Sequence, residues 1–252
     1  MGMARDLARA LDPVLLAKDV GLECDPWQAE LLRSSDPRVL LNCCRQSGKS
    51  TMAAILALHT ALYRPGSLVL LLSPALRQSQ ELFRKVLAVY RALAQSVPAE
   101  TETKLTLELE GGSRIVSLPG KESTIRGFSA VRLLIVDEAA RVPDELYYSV
   151  RPMLAVSGGR LVAVSTPFGT RGWWYEAWRS ADPWLRFEVP ATECPRISAA
   201  FLEEERRNLG QWWYRQEFCC AFLDAESAAF RSEDIEAAFT TEVETWELLA
   251  SA

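Results

Sequence analysis

The stretch from residue 38 to residue 57, RVLLNCCRQSGKSTMAAILA, constrains this chain more than any other part of it. Its first apolar residues predict a short buried strand, and the segment after Ser50 has the apolar spacing of a helix. Between them lies a tight turn that contains Gly48-Lys49-Ser50. Strand, turn and helix in this order, with these residues at the turn, are typical of a phosphate-binding P-loop.

The chemistry of such a loop explains its residue types. Backbone N–H groups of the turn and the start of the helix converge on phosphate oxygens, Lys49 reaches the terminal phosphates, and the Ser50 hydroxyl is a ligand for Mg²⁺. The predicted nucleotide-binding residues of the loop are Arg45, Gln46, Ser47, Gly48, Lys49, Ser50 and Thr51. One departure is that Cys43 stands where the motif G-x-x-x-x-G-K-[ST] has its first glycine, and an ordinary helix start is the alternative.

A second motif is the run Val131 to Ala140, VRLLIVDEAA, in which two acids follow a buried strand. This is the Walker B arrangement, in which Asp137 holds Mg²⁺ and Glu138 orients and deprotonates the attacking water. Adjacent acids at a strand end could instead cap the next helix. Because the acids occur together with the P-loop and alternating strands and helices, nucleotide hydrolysis is the favoured interpretation.

Two arginines compete for the role of stabilising charge on the γ-phosphate. Arg126 precedes the flexible Gly127, and Arg45 lies inside the P-loop. A surface salt bridge is the alternative for either. The strand predicted at 160–164 ends in Ser165-Thr166, a hydroxyl pair that could sense the γ-phosphate.

Gln28 precedes the P-loop strand, and its amide has the donor and acceptor needed to read the edge of adenine. A solvent-facing helix position is the alternative. The aromatic run around Trp174 and Trp178 could stack on a nucleic acid, but helical spacing favours packing, and Arg171 and Arg179 are left open.

Composition predicts a globular, cytoplasmic protein, since no apolar run among the 252 residues is long enough to span a bilayer. The six cysteines form no C-x-x-C pair and are expected to be reduced core residues, and the single histidine, His59, is expected to be structural. Residues 224–252 hold eight acids and one arginine, a net charge of −7, which leaves +2 for the rest of the chain. A domain with so small a net charge is not expected to bind nucleic acid by itself. Contact with DNA would therefore need a local cluster of basic residues, or one formed when several subunits assemble.

Three further elements follow from pattern. Residues 4–20 have the spacing of a surface helix, and 68–72 read as a buried parallel strand. Residues 104–109 and 114–118, joined across Gly111-Gly112, predict a β-hairpin.

Taken together, the chain resembles the ATPase domain of the large terminase subunit of tailed bacteriophages, the motor that packages double-stranded DNA into capsids. The resemblance rests on motifs in order along nearly the whole chain: Trp27-Gln28, the deviant Walker A at 44–50, Ser73-Pro74 with Gln78, Arg126-Gly127, the strand ending in Asp137-Glu138, and Ser165-Thr166-Pro167. Loss of the first glycine, with an arginine and a glutamine kept in the loop, is usual in that family.

The resemblance implies an α/β P-loop NTPase of the additional-strand, catalytic-glutamate class, with a mostly parallel central sheet, helices on both faces and a small C-terminal lid. We expect the core at 1–186, the lid at 187–223 and an acidic tail or linker at 224–252. ATP and Mg²⁺ are the implied ligands, and Ser165-Thr166-Pro167 would match the motif that couples hydrolysis to DNA movement. The implied partners are double-stranded DNA, further copies in a ring of five, the portal protein and the small terminase subunit, at the procapsid of an infected bacterium.

Large terminase subunits normally continue into a nuclease with a metal-binding acidic cluster. The acids of the tail show no such pattern, so we expect no DNA cleavage by this chain, whether it is an isolated domain or a short form. A helicase-like ATPase and a non-hydrolysing ATP-binding assembly module are the alternatives. Glu138 and Ser165-Thr166 argue against the second of these.

Overall fold

The structure is a computed structural model that describes residues 2–93, 97–120, 127–224 and 238 of the 252. Its helices are α1 Met3–Leu11, α2 Pro13–Asp19, α3 Pro26–Arg33, α4 Lys49–Tyr63, α5 Leu76–Ala92, α6 Asp144–Val150, α7 Trp173–Arg179 and α8 Ala199–Phe218. Its strands are β1 Arg38–Cys43, β2 Leu68–Ser73, β3 Ala99–Glu102, β4 Thr106–Leu109, β5 Arg114–Pro119, β6 Val131–Asp137, β7 Arg160–Ser165 and β8 Leu185–Val189. Short 3₁₀ turns cover Ala139–Arg141, Arg151–Leu154 and Ala191–Glu193.

The strands form one sheet in the order β3-β4-β5-β2-β6-β7-β1-β8. From β5 to β8 all neighbours pair in parallel, whereas β3, β4 and β5 pair antiparallel. The predicted fold class is therefore confirmed, because the sheet is mostly parallel and helices pack on both of its faces.

The core lies on both sides of the sheet because neighbouring strand residues point to opposite faces. Leu41 and Val69 pack under α2 to α5, whereas Leu40 and Leu70 pack under α6 and α7. Strands buried on both faces read as continuous apolar runs, which is why they were visible in the sequence.

Strand β7 lies between the P-loop strand β1 and the acidic strand β6. Its register pairs Val164 with Leu41 on one side and Val162 with Ile135 on the other. This is the additional strand that the predicted class requires. Because the three strands run in parallel, their carboxyl ends meet at one edge of the sheet.

The prediction of a single helix at 4–20 is wrong, because the segment forms two helices, α1 and α2. Asp12 accepts a hydrogen bond from the backbone N–H of Val14, and Pro13 begins the second helix. Proline has no N–H to donate to the preceding turn, so a continuous helix is interrupted there. Leu16 in α2 is fully buried, so this second helix belongs to the core.

The hairpin predicted across Gly111-Gly112 is confirmed as β4 and β5. Strand β3, which pairs with β4 at the edge of the sheet, was not expected. It is short, its residues are mostly exposed, and it therefore lacks the apolar alternation that announces a strand.

The expected boundary between core and lid, at 186 and 187, falls inside β8. This strand pairs along its length with β1 and belongs to the core sheet, so any lid begins after Val189. Beyond it, α8 is broken at Gly210, whose φ of 74° and ψ of 164° are not helical. The division into core and lid is otherwise still a prediction.

The six cysteines are free thiols, as predicted, and four of them, Cys43, Cys44, Cys194 and Cys220, are buried. Cys24 is half-buried and Cys219 is exposed, so the expected core position is wrong for Cys219. His59 is half-buried, with Nε2 3.0 Å from the carbonyl oxygen of Arg9, and its pKa is lowered by burial. None of the helices in the described part of the chain is both long and apolar enough to cross a membrane.

Candidate nucleotide site

The P-loop lies at the carboxyl edge of the sheet, where β1 ends at Cys43 and α4 begins at Lys49. Gly48 has a φ of 91°, in the left-handed region that favours glycine. A Cβ atom there would also lie 3.0 Å from Nε2 of Gln28, so a larger residue would crowd that side chain as well as strain the backbone. Ser47 is fully buried and Lys49 nearly so, which holds the start of α4 in place.

Cys43 replaces the first glycine of the motif without disturbing the turn, because it is the last residue of β1 and is fully buried. Burial raises the pKa of its thiol to about 12. The side chain therefore acts as a small core residue.

Asp137 ends β6 beside the first turn of α4. Oγ of Ser50 lies 3.4 Å and 3.3 Å from the two carboxylate oxygens of Asp137. A hydroxyl and a carboxylate facing each other are hard oxygen ligands of the kind that Mg²⁺ prefers. Burial, with the charge of Glu138 next, raises the pKa of Asp137 to about 6, whereas the charge of Lys49 opposes the rise. A bound cation would favour the ionised form.

Within the described residues, three or more His, Cys, Asp or Glu side chains do not gather around any common point. A Mg²⁺ site that takes one or two protein ligands and completes its shell with phosphate oxygens and water needs no such cluster. Ser50 and Asp137 therefore fit Mg²⁺ in the presence of a nucleotide.

Glu138 follows β6 with a φ of 52°, a left-handed conformation that is uncommon for a residue with a side chain. Its Oε1 lies 3.8 Å from Nζ of Lys49, and its Oε2 lies 3.1 Å from Nη1 of Arg141. The sheet thus brings together the lysine of one motif and the second acid of the other, 89 positions later in the printed sequence.

Ser165 and Thr166, at the end of β7, contact the turn that carries Glu138. Oγ of Ser165 accepts a hydrogen bond of 3.1 Å from the backbone N–H of Ala140. Oγ1 of Thr166 lies 3.4 Å from Nη1 of Arg141, the same nitrogen that contacts Glu138. Arg141 also stacks over the ring of Phe168 at 4.6 Å. A movement of residues 165–168 would therefore displace Arg141, and through it change the surroundings of the Glu138 carboxylate.

Gln28 is buried, so the solvent-facing alternative is wrong. Its Oε1 accepts from the backbone N–H of Asp25 at 3.0 Å, and its Nε2 donates to the carbonyl oxygen of Ser47 at 3.2 Å. The amide thus supports the P-loop, and its contact with adenine is still a prediction.

Arg196 also holds the P-loop. Its guanidinium makes two hydrogen bonds to the carboxylate of Asp25, of 2.8 Å and 2.7 Å, and a third of 3.0 Å to the carbonyl oxygen of Ser47. A planar guanidinium suits this paired geometry.

Arg45 turns toward α8 in this structure. Its Nε forms an ion pair of 2.6 Å with Oε2 of Glu217, and its backbone N–H donates to the carbonyl oxygen of Glu217 at 3.0 Å. The Arg45 side chain is 63% exposed, so the ion pair with Glu217, and not packing in the core, holds it in this orientation. Arg126 lies outside the described residues, and the choice between the two arginines is still open.

Two remaining P-loop residues have less specific surroundings. Gln46 has a φ of 62° and is exposed. Oγ1 of Thr51 lies 3.5 Å from Nζ of Lys85 on α5, an exposed lysine at the margin of the site.

Packing is confirmed for the tryptophans of α7. Trp174 is buried and lies 6.3 Å, between ring centroids, from the partly buried Trp178. Arg179 donates to the hydroxyl of Tyr175 at 3.0 Å, and Arg171 is exposed.

Sequence reasoning missed the contacts of Asp25, Arg141, Arg196 and Glu217. Arg141 had a local signal, because it follows Glu138 by three residues and a turn brings such residues together. Arg196 and Glu217 had none, since their partners lie more than 100 positions away in the printed sequence.

Comparison with known proteins gives a consistent result. Residues 40–237 match the family model described as terminase large subunit, T4likevirus-type, N-terminal. The terminase large subunit of Thermus virus P23-45 is 28% identical over 249 residues, covering 82% of this chain and 50% of that protein. The corresponding protein of Thermus phage G20c is 27% identical over the same length. The chain thus spans about half the length of the curated relatives it matches.

Solved structures share the fold at lower identity. The large terminase ATPase domain of Thermus phage P74-26 has a TM-score of 0.74 and 22% identity, over 82% of this chain and 97% of that one. The HK97 bacteriophage large terminase has a TM-score of 0.67 and 15% identity, over 80% and 51%. The large terminase of bacteriophage D6E, solved in complex with ADP, has a TM-score of 0.64 and 12% identity, over 79% and 54%.

The family match covers far more than half of the chain and includes the P-loop, Asp137, Glu138 and Ser165. The chain therefore belongs to the terminase large subunit family, T4likevirus-type, and corresponds to its N-terminal part.

Proposed function

We propose that this chain hydrolyses ATP in a Mg²⁺-dependent reaction and uses the reaction to move double-stranded DNA into a viral capsid. The observation that carries the proposal is the approach of Glu138 to Lys49, at 3.8 Å, from different strands of the sheet. A lysine for the terminal phosphates and a carboxylate for the attacking water belong at the two sides of one γ-phosphate. Membership of the terminase family supports the direction of the proposal.

Each side chain has a defined task. Backbone N–H groups at the start of α4 and the Lys49 ammonium bind the phosphates, and Ser50 with Asp137 would hold Mg²⁺. The metal, when bound, neutralises charge on the phosphate oxygens. Glu138 orients a water and accepts its proton. In this structure both carboxylate oxygens of Glu138 face cations, Lys49 and Arg141. When Lys49 binds a triphosphate, the carboxylate oxygen of Glu138 that faces Lys49 would become available to hold the attacking water.

Coupling of hydrolysis to movement would pass through Arg141. This arginine touches both Glu138 and Thr166, so the state of the carboxylate and the position of the 165–168 segment depend on each other. Ser165 adds a second link through the N–H of Ala140. We assign Ser165 and Thr166 as the γ-phosphate sensor on this basis.

The remaining assignments follow from the family. The D6E large terminase has been solved with ADP and with ATP-γ-S, which supports nucleotide binding at the equivalent fold. We propose a ring of subunits at the portal of a procapsid in an infected bacterium, with the small terminase subunit as a further partner. We also propose that the segment after β8, with α8, acts as the lid.

Steady-state phosphate release tests the proposal, with the protein at high concentration and with duplex DNA present. Glu138→Gln should lower turnover by a factor on the order of 10² or more, the range for a general base, while binding of an ATP analogue is retained. Glu145→Gln, an exposed acid on α6, is the matched control and should keep full activity.

Unchanged turnover in Glu138→Gln would remove the base from the mechanism. Absence of turnover in the parent protein, with nucleotide bound, would instead favour a non-hydrolysing assembly module. Turnover that single-stranded nucleic acid stimulates, and duplex DNA does not, would favour the helicase-like alternative.

A further inference from the structure

A cavity of about 420 Å³ lies at the amino edge of the sheet, opposite the nucleotide site. Its walls include Arg33, Arg64, Arg132 and Arg160, and we call it the arginine cavity. Helix α4 has 15 residues between the P-loop and Arg64, so the two sites are separated by roughly 22 Å at 1.5 Å per residue.

The four arginines arrive from separate elements. Arg132 and Arg160 lie at the starts of β6 and β7, neighbours in the parallel sheet, and Arg64 follows the end of α4. Arg33 is the last residue of α3. Because the four arginines come from four elements, the packing of a single helix or strand does not explain why they converge.

The charge of this cluster is incompletely balanced. Arg33 forms an ion pair of 2.8 Å with Asp12. Across the residues that the structure describes, Arg64, Arg132 and Arg160 have no carboxylate within ion-pairing distance. Two of the three bond to backbone carbonyl oxygens, Arg132 to Ser157 at 3.5 Å and Arg160 to Asp36 at 2.9 Å. Burial lowers the pKa of Arg160, and the charge of the nearby Asp36 carboxylate opposes that shift without a direct pair.

Arg160 is the least exposed of the four arginines. Its Nη2 is buried and, among the described residues, has no hydrogen-bond partner. A guanidinium stays protonated in proteins, so this N–H group cannot avoid the cost by losing its charge. A buried cationic donor without an acceptor is unfavourable. Because Nη2 is itself closed to solvent, a ligand first meets the exposed Arg64 and Arg132, and it reaches Nη2 only when the Arg160 side chain turns toward the cavity.

A second, adjoining cavity shares Arg64 and Arg132 and is completed by Tyr63, Pro65, Gly66, Ser67 and Ala130. Arg64 and Arg132 are both exposed, so they stand between two openings and can bond on either side. Their side chains are therefore accessible to a ligand that enters from solvent.

We propose that the arginine cavity binds a phosphate group at a site independent of the P-loop. A phosphate presents several oxygens that accept from more than one guanidinium at once, which a single carboxylate does less well. The cavity is larger than a phosphate ion and is also lined by Leu32, Leu56 and Leu133, so it has room for the rest of a phosphate ester. The phosphate belongs either to a small molecule or to the backbone of DNA.

The test uses the full chain with Lys49→Ala, which removes the lysine of the P-loop so that the arginine cavity dominates phosphate binding. Inorganic pyrophosphate is titrated by calorimetry, and the arginine Nε–H signals are followed by NMR. Arg64→Gln/Arg132→Gln is the test variant, because both residues are exposed and their loss should leave folding intact. Arg206→Gln/Arg207→Gln, two exposed arginines of α8, changes the net charge equally and is the control.

We expect pyrophosphate to bind the parent, to shift the Arg160 Nε–H signal, and to bind the test variant about tenfold more weakly, as loss of charged hydrogen bonds predicts. The control should bind as the parent does. A parallel titration with a short DNA duplex identifies the source. A tenfold loss in the test variant beyond the control assigns a backbone phosphate, and an unchanged DNA affinity with weaker pyrophosphate binding assigns a small molecule. The proposal is overturned if pyrophosphate fails to bind or binds the test variant as tightly as the control.

Discussion

Replacing Asp137 by asparagine should stabilise the protein in the absence of nucleotide and metal, although it removes a proposed ligand of Mg²⁺. Asp137 is 5% exposed at the end of β6. Burial and the neighbouring charge of Glu138 raise the pKa of its carboxyl from 3.8 to about 6. The ionised carboxylate is therefore less favourable in the folded state than in the unfolded state.

The size of the effect follows from the difference between the two pKa values. A difference of about 2 pH units corresponds to roughly 3 kcal/mol between protonation states. Because the folded pKa is the higher one, this cost is absent below pH 3.8, grows as the pH rises through 6, and is complete above that value. Asparagine avoids the ionisation but loses the attraction to Lys49, so we expect a net gain of about 1–3 kcal/mol at pH 8. For a domain of this size the gain raises the Tm by about 2–10 °C.

Thermal or urea unfolding with EDTA, at pH 8 and again near pH 4, measures the gain. Asp137→Asn should be more stable than the parent at pH 8 and nearly equal to it near pH 4. Asp182→Asn, at an exposed position, is the control and should show no such dependence. A loss of stability at pH 8, or a gain that is the same at both pH values, would refute the reasoning.

Two other predictions concern the support of the nucleotide site and the packing at the opposite edge of the sheet. Arg196→Ala removes the bonds to Asp25 and to the Ser47 carbonyl, so the KM for ATP should rise several-fold with a smaller change in kcat; an unchanged KM would contradict the support role. Gly159→Ala should destabilise the fold by about 1–3 kcal/mol or more in urea unfolding, because the new Cβ would lie 2.1 Å from the carbonyl oxygen of Val131. Gly111→Ala, where a Cβ meets nothing within 4 Å, is its control, and equal stability of the two variants would contradict the clash.

The parts of the fold that were predictable are those with local signals. Buried parallel strands appear in the sequence as apolar runs. The polar residues of the site end these runs, as Asp137 does in β6 and Ser165 does in β7. Because parallel strands end at one edge, the order of motifs was enough to bring Lys49 and Glu138 together. The break at Pro13 was missed, although aspartate followed by proline is a local signal of a helix start.

The parts that could not be predicted depend on tertiary contacts. The pairing of β8 with β1, and of β3 with β4, is decided by which edges of the sheet are available. The partners of Arg196 and of Glu217 are set by how the chain returns to the P-loop after β8. No periodicity in the sequence encodes those returns.

The segment after β8 returns to the P-loop, and we expect these contacts to affect how fast a nucleotide is released. One segment holds the P-loop at two points, through the bond from the Arg45 N–H to Glu217 and through the bond from Arg196 to Ser47. Gly210 divides that segment between the two contacts. We predict that, in the proposed hydrolysis, release of the product requires these bonds to open, so its rate depends on the segment 196–217 as well as on the P-loop. Substitutions near Gly210 should therefore change the rate of product release in the proposed hydrolysis, while the contacts to the phosphates stay the same.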